Sequence, residues 1–107
     1  VEGMLLTLPA DFTQDAENAE IVKAFQAKGR DAAGAFQMTS YSATKAIADG
    51  IAGAGVDDPV KVAEYLHANE VKTPIGVISW NEQGDLNEFK FDVYVWHKDG
   101  SKTLYGK

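Results

Sequence analysis

The residues able to do chemistry in this chain are few and scattered. Two acidic pairs stand out, Asp57-Asp58 and Asp85 with Glu88, together with two histidines, His67 and His97. General acid–base catalysis needs two groups converging in one cleft with their pKa values pushed apart. Asp85 and Glu88 instead fall around a turn, and Asp58 stands directly before Pro59, where capping a helix is sufficient employment. His67 has no second ligand-type residue at metal spacing, and His97 belongs to a different element, so both read as surface residues. There is no cysteine, hence no thiolate nucleophile, thiolate metal site or disulfide. A nucleophile elbow, H-E-x-x-H and a dinucleotide-binding glycine turn are all missing. The loop Gly29 to Gly34 lacks both the Lys-Ser/Thr ending and the preceding strand of a phosphate-binding loop. The expectation is a protein that is not an enzyme and uses no metal or cofactor.

Binding remains, and charge narrows the partner. The net charge is −6, and the ten basic residues are dispersed, which argues against nucleic acid. Trp96 and Tyr105 invite comparison with a stacking platform, but without basic neighbours cross-strand packing explains them better. No apolar stretch approaches the ~20 residues that cross a bilayer. With 45% hydrophobic and 24% charged residues the chain has the composition of a folded domain. The first residues carry no charged n-region or cleavage site of a signal peptide.

The elements that must position a binding site can be read in order. Gly3 to Leu8 is an apolar run without alternation, stopped by Pro9, as in a parallel strand covered on both faces. Asp15 suits the N-cap of a helix from Ala16 to Lys28, with Ile21, Val22 and Phe25 inward and Gly29 ending it. A longer helix spans Ala35 to Ala54. Its stripe is Phe36, Ser40, Ala43, Ile47 and Ile51, and Ala46, Gly50 and Gly53 let another element approach. Asp58-Pro59 starts a third helix to about Asn69, with Val62, Ala63 and Leu66 inward. Thr73 to Leu86, TPIGVISWNEQGDL, reads as a short strand running into Trp80 and a polar turn, with Gly76 marking close backbone approach. In FKFDVYVW, Phe89, Phe91, Val93 and Val95 alternate with Lys90, Asp92, Tyr94 and Trp96, which places the latter aromatics on the outer face. Lys98 to Ser101 turns the chain into a short edge strand, Thr103 to Tyr105.

The order of residues in Thr73–Leu86, apolar–Gly–x–x–x–Trp–Asn–x–x–Gly–Asp, resembles a signature near the C-terminus of type I periplasmic binding proteins. The likeness is strongest to the leucine/isoleucine/valine-binding family. Val1-Glu2-Gly3-Met4-Leu5, Gly34-Ala35-Phe36 with Tyr41, and FDVYVWHKDG from Phe91 resemble further stretches of that family in the same order. Members are much longer, so the resemblance covers their C-terminal portion. It implies an α/β fold: a C-terminal fragment of a two-lobe, three-layer αβα sandwich with pieces of both lobes. Residues 1–9 and 89–107 would be lobe 2 strands and residues 10–88 the helices and strand of lobe 1, with hinge crossings near Pro9-Ala10 and Asp85–Phe89. The implied function is that of a periplasmic solute-binding component of an ABC importer. Its ligand would be a branched-chain or related amino acid, held by lobe closure and delivered to a membrane permease. By the same resemblance Phe36 lines the cleft against the ligand side chain, although an aromatic at a helix start is more commonly core. Gln37, Met38 and Tyr41 are its neighbours. The groups holding the ligand's ammonium and carboxylate would lie upstream, leaving this chain an incomplete binding unit. Two alternatives are a ligand-sensing receptor domain of the same fold, and a dimerising fragment, homodimeric or domain-swapped, whose open strand edges pair between copies.

Overall fold

The computed structural model describes residues 1–106. It contains two bodies joined by two adjacent chain crossings. The first is an antiparallel sheet of β1 (Leu5–Pro9), β4 (Phe91–Trp96) and β5 (Lys102–Leu104), in the order β1-β4-β5. Pairing runs from Leu5 opposite Val95 to Pro9 opposite Phe91. The expectation of a parallel strand with both faces covered is therefore corrected. β1 pairs antiparallel with β4, and Leu5 is 51% exposed, because an unalternating run is apolar on both faces while only one of them meets a second layer here. The faces of β4 are also opposite to expectation. Tyr94 is buried and Phe91 and Val93 are exposed, because the helical body lies against the Tyr94 side. Alternation reports which residues share a face but not which face is covered.

The turn between β4 and β5 is as the residues foretold. Gly100 adopts φ +83°, its N–H donates to His97 O at 3.0 Å, and the Asp99 carboxylate accepts from Ser101 N at 2.9 Å. Trp96 stands opposite Lys102, and Tyr105 lies past the end of β5 and is exposed, so the two aromatics are not a cross-strand pair.

The second body begins with two 3-10 turns, Phe12–Gln14 and Ala16–Asn18, before α1 (Ala19–Ala27). Asp15 makes no capping hydrogen bond. The cap falls one turn earlier, where the Asp11 side chain accepts from Thr13 N at 3.1 Å. The delay centres on Asn18, which is buried and donates to Phe12 O and Pro74 O, both at 2.8 Å. α2 (Gln37–Ala54) buries Met38, Ser42, Ala46 and Gly50, whereas the expected stripe is largely open. Ile47 is 57% exposed. α3 (Pro59–Ala68) starts as read, with Asp58 Oδ1 accepting from Val60 N at 2.9 Å and Lys61 N at 3.2 Å. The glycines of α2 do admit a close neighbour: a Cβ on Gly50 would lie 3.0 Å from Val62 Cγ1, and one on Gly53 would fall on the Tyr65 ring. Val62 is buried and Leu66 half-buried in that contact, while Ala63 is exposed.

β2 (Val71–Thr73) and β3 (Gly76–Ile78) form a hairpin beneath α2, with Val71 and Ile78 packed on Ala46 and ringed by Leu66, Ile75, Trp80 and Leu86. Gly76 is present for its backbone, φ +110°, and not for close approach, since nothing lies within 4 Å of its Cβ position.

The crossings between the bodies run side by side, with Ala10 N donating to Lys90 O at 3.1 Å and the Phe12 and Phe89 rings 6.3 Å apart. The accessible surface of 7476 Å² exceeds the roughly 5,800 Å² expected of a compact 11.6 kDa monomer. The radius of gyration, 16.5 Å, likewise exceeds the ~13 Å of a compact chain this long. The excess surface includes Phe36, Ile47, Ile51, Val77 and Phe91.

Candidate ligand-binding site

Phe36 occupies the N-cap position of α2 with φ −121° and ψ 0°, and its side chain cannot cap the helix. Its carbonyl is instead held twice, by Thr39 Oγ1 at 3.0 Å and by Ser40 N at 2.9 Å. The ring is left 68% exposed, a poor arrangement for a core residue. It stands where two concavities adjoin. One, of about 720 Å³, is lined by Phe25, Gln37, Ser40, Tyr41 and Thr44. The other, of about 640 Å³ and strongly apolar, runs from Ile47 across Leu66, Ile75, Trp80 and Leu86 to Phe89 and Phe91. A smaller cavity of about 240 Å³ opens between the two bodies, where Tyr94 and Lys102 of the sheet face Asp11, Met38 and Thr39. Burial first, then the nearby Asp92 and Asp11 carboxylates, raise the Tyr94 pKa, so its phenol stays protonated at neutral pH. Lys102 Nζ lies 5.7 Å from the centre of the same ring.

Of the neighbours of Phe36, Gln37 and Tyr41 share its first concavity, and Met38 points inward and is buried. Tyr41 is half-exposed and packs at 6.5 Å against Phe25 of α1.

The Trp80 turn is held locally. Asn81 Oδ1 accepts from Gln83 N at 3.0 Å and Asp85 N at 2.9 Å, and Gly84 takes φ +89°. Trp80 and Leu86 are bridged across it, which directs both into the apolar concavity before the chain returns to the crossing at Phe89.

The acidic pairs and the two histidines singled out in the sequence do not come together among the described residues. Asp58 caps α3, His67 is exposed, and among the described residues no set of three His, Asp or Glu forms a cation site. His97 is engaged by residues the sequence did not point to: Nδ1 lies 2.9 Å from Glu2 Oε1, and Nε2 lies 2.9 Å from Thr103 Oγ1. Glu2 Oε2 also accepts from Lys98 N at 2.9 Å. These two hydrogen bonds, led by that from His97, hold the Glu2 carboxyl below the usual range. The separation of Glu2 and His97 in sequence left no local signal for that contact.

The fold is a segment of the type I periplasmic-binding-protein architecture. A leucine-binding protein from Thermotoga maritima superimposes with a TM-score of 0.76 over 99% of this chain and 31% of its own, at 24% identity. A periplasmic binding protein from Burkholderia mallei gives 0.75 at 15% identity, over 98% of this chain and 30% of its own. The sequence is more particular. It is 51% identical over 102 residues to the leucine-, isoleucine-, valine-, threonine- and alanine-binding protein of Pseudomonas aeruginosa, covering 95% of this chain and 27% of that protein. It is 42% identical, with the same coverage, to the Leu/Ile/Val-binding protein of Escherichia coli K12. No family model matches the chain. The chain is thus homologous to one segment of the Leu/Ile/Val-binding proteins and spans about a quarter of their length.

Proposed function

We propose that the chain is the C-terminal part of a periplasmic solute-binding protein serving an ABC importer, and that the complete protein binds a branched-chain or related amino acid by closing two lobes. The observation that carries this reading is the 51% identity, over nearly the whole chain, to a protein named for binding five such amino acids. In this reading residues 1–9 and 89–107 belong to one lobe and residues 10–88 to the other; Lys107 lies outside the described residues. The paired crossings at Ala10 and Lys90 support that division, since two adjacent strands with few other ties between the bodies make a natural hinge. Ligand contacts with both lobes would favour the closed state over the open one.

Phe36 is the ligand contact this segment contributes. An exposed ring at a helix start, beside an apolar concavity, suits an aliphatic side chain and offers no hydrogen bond to an ammonium or carboxylate. Losing the ring should remove ~1.5–2 kcal/mol of apolar contact, about a 10- to 30-fold loss in affinity. Titration calorimetry of L-leucine into the complete protein and its Phe36→Ala variant tests this. Unchanged affinity would remove Phe36 from the site.

The open apolar faces belong, in this reading, to the remainder of the chain and not to a second copy, because the matched segment is only 27% of the relative's length. The 107 residues alone are then expected to bind L-leucine weakly or not at all. Saturation of the isolated segment at micromolar L-leucine would sink the idea that the site is completed elsewhere.

A further inference from the structure

Between the loop that follows α1 and the first turn of α2, the side chain of Gln37 folds back onto Gly34. A Cβ on Gly34 would stand 2.6 Å from Gln37 Cδ and 2.8 Å from Nε2, closer than real contacts allow. Gly34 is not among the glycines with positive φ, so its backbone does not demand glycine; the space above its Cα does. Gln37 N also donates to Gly34 O at 3.3 Å, closing a turn that contains Phe36. Phe36 and Gln37 line the same concavity of about 720 Å³. Gln37 is exposed, so an amide displaced from Gly34 can turn to solvent or into the space beside the Phe36 ring.

We propose that Gly34 and Gln37 are a positioning pair for the ligand site. Gly34 supplies a bare surface on which the Gln37 amide rests, and this keeps a polar group away from the ring that meets the ligand's aliphatic side chain. The inference rests on the reading of Phe36 as a ligand contact. A polar amide in an apolar contact is costly unless it finds a hydrogen-bond partner, so a displaced amide that enters the space beside Phe36 penalises leucine more than a ligand carrying a hydroxyl.

The test uses the complete binding protein, with L-leucine and L-threonine as probes in titration calorimetry. Gly34→Ala should raise the Kd for L-leucine about 10-fold and lower the leucine-to-threonine preference by at least 5-fold, with a melting temperature within ~2 °C of the parent. Gly34→Ala combined with Gln37→Ala should bring both quantities back to within about threefold, since the displaced amide is then gone. A steep fall in melting temperature, or no recovery in the double variant, would make the effect one of backbone damage and overturn the proposal. Phe36→Ala separates the two readings. If Phe36→Ala weakens leucine binding and Gly34→Ala does not, the pair has no positioning role and the site stands. If Phe36→Ala has no effect, both fall.

Discussion

Gly53 lies in the last turn of α2 on an exposed stretch of helix, where replacing glycine by alanine ordinarily stabilises a protein by about 1 kcal/mol through helix propensity. Here the opposite sign is expected. A Cβ at this position would coincide with the Tyr65 ring of α3, overlapping Cζ and both Cε atoms. The ring is half-buried and must swing out to make room. Re-exposing ~100 Å² of aromatic surface at ~25 cal/mol per Å² costs about 2.5 kcal/mol, which outweighs the propensity gain and leaves a net loss of about 1.5 kcal/mol. The assay is a double-mutant cycle of wild type, Gly53→Ala, Tyr65→Ala and the double variant, by urea unfolding followed through Trp80 and Trp96 fluorescence. In the Tyr65→Ala background the ring is absent, so Gly53→Ala should stabilise by about 1 kcal/mol. A coupling energy of about 2.5 kcal/mol follows from the difference between the backgrounds. If Gly53→Ala stabilises the wild type, or acts equally in both backgrounds, the close α2–α3 approach is not what holds a glycine there.

Asn18→Ala should cost about 2 kcal/mol in urea unfolding, because the buried side chain satisfies both Phe12 O and Pro74 O; a change under ~0.5 kcal/mol would mean water replaces it at no loss. The Glu2 carboxyl, held low by hydrogen bonds from His97 and from Lys98 N–H, should titrate in the folded state below the usual carboxylate range by carbon-detected NMR. A carboxyl depressed on folding stabilises the protein above its unfolded pKa and stops doing so as pH falls through its folded pKa. The sheet should therefore loosen at acid pH in the wild type. A Glu2→Gln variant lacks that contribution at neutral pH and should lose less than the wild type on acidification; equal acid sensitivity of the two would mean that the Glu2 hydrogen bonds to His97 and Lys98 do not stabilise the sheet.

Much of the local structure was legible because its causes are local. Asp58-Pro59 started α3, Gly29 ended α1, Asn81 to Asp85 made the Trp80 turn, and Lys98 to Ser101 reversed the last strand. Each depends on a cap, a φ angle or a side chain bonding its own neighbourhood. Phe36 was picked out by family resemblance alone; a lone aromatic at a helix start carries no local mark of a pocket. The misreadings share a different origin. α2 buries Met38, Ser42, Ala46 and Gly50 although the larger apolar residues Phe36, Ile47 and Ile51 lie on another side, because α3 and the β2–β3 hairpin reach only the small-residue face.

The amino-acid sequence by itself determined the start of α3, the end of α1, the Trp80 turn and the Lys98–Ser101 turn, and which family it resembles. These follow from short-range spacing and from residue order. Only the tertiary structure decided which face of β4 and of α2 is covered, that β1 pairs antiparallel with a strand some eighty residues later, and that Glu2 meets His97. Periodicity reports which residues share a side, but burial depends on what the rest of the chain brings to that side, and for this segment part of that surface still lies open.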